Sequence, residues 1–236
     1  TPFSWDNPVH VSNIYYDAEG KQTRDPRLYL NILTNGATWL KQTVETFEGG
    51  KNKILDGSTK TGYYLRKYMN PSVSLDPDKP NKLEHHYILF RYAEILLNYA
   101  EAMFRYTGDV EQVLPGDKSP LTAREAVNVI RQRTGVKMPE LQADDVSDPE
   151  VFWKRYKNER MVELAFEGHR FWDVRRWKEG ELLKEVTFMK ITQNNNGTYN
   201  YSREKSTRSW DDKMYLFPIP QTELMCNTNL TQNPGW

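Results

Sequence analysis

The segment Tyr87–Tyr106 constrains this 236-residue chain more than any other part of it. Ile88, Tyr92, Ile95, Tyr99, Ala102, Met103 and Tyr106 recur every three or four residues. A second apolar stripe, Leu89, Ala93, Leu96, Leu97, Ala100 and Phe104, runs beside the first, and polar residues are confined to Arg91, Glu94, Asn98, Glu101 and Arg105. That pattern predicts an α-helix buried on most of its circumference, ended by Gly108-Asp109. Such a helix exposes apolar surface unless other helices cover it.

Two further helices carry start signals. Thr122 and Glu125 form a capping-box pair ahead of a helix over 121–133, with Ala126, Val127 and Ile130 inward and Gly135 as the stop. Asp148-Pro149 places an N-cap and a first-turn proline before a third helix through Phe152, Tyr156, Val162, Ala165 and Phe166. A break is expected near Gly168, then a short helix over Phe171–Trp177. Residues 93–109 with 121–133 have the spacing of a tetratricopeptide helix pair, made irregular by the insert at 110–120. Such units need neighbours to bury their faces, so others are expected outside this chain.

The rest is less regular. Residues 1–80 are punctuated by Asn7-Pro8, Asp25-Pro26, Asn35-Gly36, Gly49-Gly50, Asp56-Gly57, Asn70-Pro71 and Asp76-Pro77. Between them Val11–Tyr16, Leu28–Leu33 and Tyr63–Tyr68 read as short strands, so this is a region of long loops, which are usually functional. Val186–Ile191 and Thr198–Tyr201, joined through Asn194-Asn195-Asn196-Gly197, predict a hairpin. Pro218, Pro220 and Pro234 limit the tail to a short helix over Gln221–Met225. The chain divides into 1–86 (loop-rich), 87–180 (helical) and 181–236 (hairpin and tail), three parts of one domain.

Composition narrows the function. Lys and Arg balance Asp and Glu at 32 each, which removes the electrostatic case for nucleic acid or an anionic membrane surface. No apolar run reaches the roughly 18 residues a membrane span needs. Thr1-Pro2-Phe3-Ser4-Trp5 has neither Met nor a signal-peptide pattern, so a processed product or fragment is expected, without signal peptide or lipid anchor. The lone Cys226 excludes an internal disulfide and reads as a small buried or incidental residue.

Several separated segments resemble the SusD/RagB family. They are Arg91-Tyr92-Ala93-Glu94-Ile95-Leu96-Leu97-Asn98-Tyr99-Ala100-Glu101-Ala102, Ile130-Arg131-Gln132-Arg133-Thr134-Gly135, and the run from Glu159 through Glu167-Gly168-His169-Arg170-Phe171-Trp172-Asp173 to Arg176. Phe217-Pro218-Ile219-Pro220 with Asn229-Leu230-Thr231-Gln232-Asn233-Pro234-Gly235-Trp236 is similar to the family's ending. Asp25-Pro26-Arg27-Leu28 and Gly62–Tyr68 look like earlier landmarks. The family is about twice this length, so the chain resembles its C-terminal half. The resemblance implies a mainly α fold, a tetratricopeptide-like α-α superhelix scaffold with long loops and small β-hairpins. It implies a lipid-anchored protein on the extracellular face of the outer membrane of Bacteroidetes-type bacteria. There it would bind oligosaccharide or polysaccharide without catalysis and pass it to a SusC-like TonB-dependent transporter. Some members bind peptides instead, and a structural lid without its own ligand is a third reading.

Three groups of residues carry candidate chemistry. Glu159, Glu163 and Glu167 share one helical face, within reach of Arg155 and Arg170. They are either a carboxylate pair for glycoside hydrolysis or an ion-pair lattice, and the family match favours the lattice. His10, His85, His86 and His169 lack metal-ligand spacing, so no metal or cofactor is expected, and Asp76 with Asp78 is only a minor calcium candidate. Sugars stack on loop aromatics with polar neighbours, which selects Trp5, Trp39 and Trp210 as candidate ligand contacts. Trp153, Trp172 and Trp177 lie in helices and are expected in the core, and Trp236 packed.

Overall fold

The structure is a computed structural model that describes residues 3–12, 14–55, 57–74, 76–116 and 121–236. Asp56 of the turn signals and residues 117–120 of the insert lie outside the described residues. The fold is mainly α-helical, with three small antiparallel two-stranded sheets among the described residues.

Local capping decides the first elements. Asn7 and Asp25 each accept a backbone N–H two residues on and precede a proline, so α1 (Pro8–Ser12) and α2 (Pro26–Asn31) are single helical turns. This corrects the expected strands: most of Leu28–Leu33 is helical, and Val11 and Ser12 close α1. The strands that remain are short. β1 (Ile32–Leu33) pairs with β4 (Tyr64–Leu65), and β2 (Thr38–Trp39) pairs with β3 (Gln42–Thr43) through the two-residue turn Leu40-Lys41.

The central helix α3 (Tyr92–Thr107) begins five residues later than its periodicity suggests. Arg91 at its N-cap is extended, and its guanidinium binds Glu163 and Glu167 instead of continuing a helix. Within α3 the Ala93–Phe104 stripe is buried throughout, and the other only in part, at Met103 and Tyr99. Leu97 and Ala100 are fully enclosed, whereas Tyr92, Ile95 and Tyr106 are 71%, 51% and 80% exposed. The expectation of burial around most of the circumference is therefore corrected. Both α4 (Ala123–Gln132) and α5 (Pro149–Glu163) lie against the Leu97–Ala100 side, so Tyr92, Ile95 and Tyr106 face outward.

The predicted caps are present in these two helices. Thr122 Oγ1 accepts the Glu125 N–H while the Glu125 carboxylate accepts the Thr122 N–H, and Asp148 accepts the Glu150 N–H ahead of Pro149. Phe152 and Tyr156 complete the first core, where Tyr156 donates to the Leu97 carbonyl at 3.0 Å. Phe166 and Gly168, both left-handed, reverse the chain into α6 (His169–Arg176). Glycine adopts that conformation without the steric cost a β-carbon brings.

A second core joins the N-terminal loops to the hairpin of β5 (Glu185–Gln193) and β6 (Tyr199–Thr207). Ile14, Tyr15, Tyr29, Met189 and Ile191 are its buried members. The outer edge of β5 is covered by loop backbone: Glu48 N–H donates to Ile191 and Met189 N–H donates to Thr61. Covering an edge in this way removes a site of aberrant strand pairing. The tail contains the short helix α7 (Gln221–Cys226), with Cys226 exposed, and runs on without regular structure to Trp236.

The hairpin is followed by Trp210, whose indole lies against Gly180. A β-carbon on Gly180 would sit 2.0 Å from that ring. Gly180→Ala is therefore expected to destabilise the fold by about 1–3 kcal/mol through overpacking. Thermal denaturation checks this, and an unchanged melting temperature would contradict the close contact.

Candidate functional site

The densest polar constellation is an ion-pair lattice. Arg27 is 3% exposed and bonds Asp25, Glu159 (2.5 Å) and Glu163 (3.0 Å). Arg131 meets Glu159 at 2.6 Å, Arg91 and Arg133 meet Glu163, and Arg91 and Lys67 meet Glu167. Burial raises the pKa of Glu163, but the hydrogen bonds and charges of Arg91, Arg27 and Arg133 outweigh it and hold this carboxyl below its ordinary value. Burial and the opposing Arg91 and Lys67 act the same way on Glu167. A glycosidase acid needs a raised pKa and an approachable proton; Glu163 and Glu167 have neither. The expected partners Arg155 and Arg170 take no part. The cations come from α2, the loop after β4, the start of α3 and the end of α4, while Arg155 is on the exposed side of α5.

A second, smaller lattice ties α3 to α5 and α6. Arg160 bonds Asp173 at 2.8 Å and Asn98 at 2.8 Å, and Arg176 bridges Asp173 to Glu101. Trp177 Nε1 and the Tyr156 hydroxyl also donate to Glu101, each at 2.9 Å.

The three candidate tryptophans fall in different settings. Trp39 is half-buried at the end of β2, beside a turn whose two residues are both left-handed: Leu40 at φ 49° and Lys41 at φ 64°. Two consecutive non-glycine residues in that region store local strain, a feature that concentrates at ligand-contacting positions. Leu40 is 56% exposed beside it, and no ring or cation packs on Trp39 among the described residues. Trp5 is more enclosed, edge-on to Phe3 at 5.2 Å and capped by the Arg203 guanidinium 4.5 Å from its ring centre. Trp210 is wedged between Gly180 and Tyr215, and its buried Nε1 has no hydrogen-bond partner among the described residues. The structure thus sets Trp5 against the second core, Trp39 on a turn and Trp210 beside Gly180.

Trp153 and Trp177 pack against the first core as expected. Trp172 does not: it is 58% exposed, edge-on to Phe171 and Phe217. The short α6 buries Asp173 and Val174, which turns Trp172 outward. Trp236 is 45% exposed, although its Nε1 donates to the Lys213 and Leu216 carbonyls. Asp76 accepts the Asp78 N–H as a local turn, and no metal-ligating group of three or more His, Cys, Asp or Glu occurs among the described residues. Likewise, no described helix is long and apolar enough to cross a membrane.

Sequence patterning missed Arg27, because a lone arginine in a turn-rich stretch carries no sign of a partner more than 130 residues away. It also missed the outer face of α5. Lys154 and Asn158 are spaced i, i+4, but they are indistinguishable in sequence from ordinary solvated positions.

Paired helices around one core, with loops laid over a hairpin around a second, define a mainly α-helical scaffold protein. The chain belongs to the SusD family, whose model matches residues 6–236. It is similar to SusD-like protein P2 of Formosa agariphila, 28% identical over 155 residues, covering 64% of this chain and 26% of the relative. A solved SusD-like protein from Bacteroides fragilis superposes with a TM-score of 0.71 at 34% identity, covering 93% of this chain and 40% of that one. The chain therefore spans well under half the length of either relative.

Proposed function

We propose that this chain is part of a non-catalytic cell-surface receptor for extracellular glycans that delivers them to a SusC-like TonB-dependent transporter. Membership of the SusD family across residues 6–236 carries the reading. Two structural features agree with it. The carboxylates most suggestive of hydrolysis are locked in a lattice, and Trp39 offers an uncapped indole to the apolar face of a sugar. Attachment at the outer membrane through a lipid anchor belongs to the same proposal.

Isothermal titration of the intact protein against a polysaccharide panel tests this. Trp39→Ala is expected to weaken binding of the cognate glycan about ten-fold, equivalent to one stacked ring. Trp5→Ala is expected to weaken it less, since Arg203 already covers that ring. Release of reducing ends by a clean preparation would refute the non-catalytic assignment. Binding of peptides but no glycan would replace the ligand class.

A further inference from the structure

We infer that a second ligand site, selective for anionic sugar residues, lies in the cleft between α5, α6 and the single 3-10 turn Gly180–Leu183. The cleft is open to solvent and offers about 600 Å³, within the range of roughly 300–1,000 Å³ typical of small-ligand sites. The ligand's being a sugar rests on the glycan-capture reading above; its charge rests on the cleft alone.

The cleft is rich in unused donors. Lys154, Asn158 and Arg170 all line it, and none has a hydrogen-bond or ion-pair partner among the described residues. The Trp153 indole N–H is likewise unbonded. That ring is already packed by the Arg105 guanidinium at 4.0 Å, by Tyr156 at 5.2 Å and by Phe104 at 5.9 Å, so Trp153 contributes its N–H rather than a stacking platform. Of the two carboxylates present, Glu179 is tied to Lys157, and Glu150 sits in the first turn of α5.

With Lys157 paired to Glu179, Lys154 and Arg170 face the carboxylate of Glu150, unpaired among the described residues, so the lining carries one net positive charge. The exposed Lys154 and Asn158 donors can exchange water for a ligand's acceptors. The apolar part of the lining, from Val151, Met161 and Leu182, suits the C–H face of a pyranose ring. A planar guanidinium such as that of Arg170 can hold a carboxylate or sulfate through two parallel hydrogen bonds, and Lys154 adds a point charge. The chemistry that satisfies all these groups is a sugar ring bearing an anionic oxygen group, either the carboxylate of a hexuronate or a sulfate ester.

Titration of the intact protein with a uronate oligosaccharide, a sulfated oligosaccharide and their neutral counterpart tests the assignment. The Lys154→Gln/Arg170→Gln double variant is compared with the wild type. Neither side chain is partnered, so the variant should fold with unchanged stability. At least one anionic ligand is expected to bind and to weaken about ten- to hundred-fold in the double variant, the loss of one or two charge-assisted hydrogen bonds. Which of the two responds identifies the anionic group. Trp39→Ala should leave that component intact and instead reduce neutral glycan binding, so failure of the cleft and failure of the general reading are separable. In the Trp39→Ala background, failure of both anionic ligands to bind, equal binding after Lys154→Gln/Arg170→Gln is added, or equally tight binding of the neutral counterpart overturns the inference.

Discussion

Replacing Arg27 by Met is expected to cost about 3–5 kcal/mol of stability, the effect of removing one partner from a buried ion pair. Arg27 is enclosed and touches three carboxylates, and Glu159 and Glu163 are themselves only 2% exposed. Methionine fills much of the volume but supplies no charge, so both glutamates lose a cation that water cannot replace. Arg131, Arg91 and Arg133 remain nearby and keep the loss from being complete. Glu159→Gln in the Arg27→Met background should recover at least about 1 kcal/mol, because it removes an uncompensated charge. Urea denaturation reads both changes. A single-variant loss below about 1 kcal/mol, or no recovery in the double variant, would show that the lattice is not what joins α2 to α5.

The second large effect is a two-sided dependence of stability on pH. Asp25, Glu101, Glu163 and Glu167 are buried, which raises their pKa values, but their cation partners outweigh burial and leave each lowered in the fold. A carboxylate with a lowered folded pKa contributes its stabilisation above the unfolded value. That contribution is lost as pH falls through the folded one. The melting temperature should therefore be nearly flat from about pH 5 to 8 and fall once pH drops below the ordinary values of 4.5 for Glu and 3.8 for Asp.

On the alkaline side, burial raises the Tyr15, Tyr63 and Tyr201 phenols, and Tyr15 is pushed further by its neighbour Tyr63. These groups oppose ionisation in the fold, so stability should fall as pH rises above their ordinary value of 10.0. The acid limb reads the ion-pair lattices, and the alkaline limb reads the buried phenols of both cores, since burial also raises Tyr156 in the helical one. Calorimetry across pH checks both. An acid midpoint near pH 6 would point to histidine protonation and contradict the carboxylate account.

What the linear sequence determined here was whatever depends on near neighbours. Thr122 with Glu125, Asp148 with Pro149 and the turn at Gly168 place helix ends because each uses groups within a few residues. The SusD family was legible for a similar reason: its segments follow one another in order. The same local rule, applied more carefully to Asn7-Pro8 and Asp25-Pro26, would have found α1 and α2.

The tertiary structure alone decided which apolar and charged residues meet. Both stripes of α3 read as buried, since periodicity reports which residues share a face and not whether anything covers it. Trp172 read as core for the same reason. The spacing of Glu159, Glu163 and Glu167 predicted one shared helical side, but α5 ends at Glu163, and Glu167 joins the lattice from the turn that follows, past the left-handed Phe166. Only the folded chain brings Arg27, Arg91, Arg131 and Arg133 to them in place of the nearer Arg155 and Arg170. A buried charge is stabilised by whichever cation the fold delivers at hydrogen-bond distance, and sequence separation has no bearing on that distance.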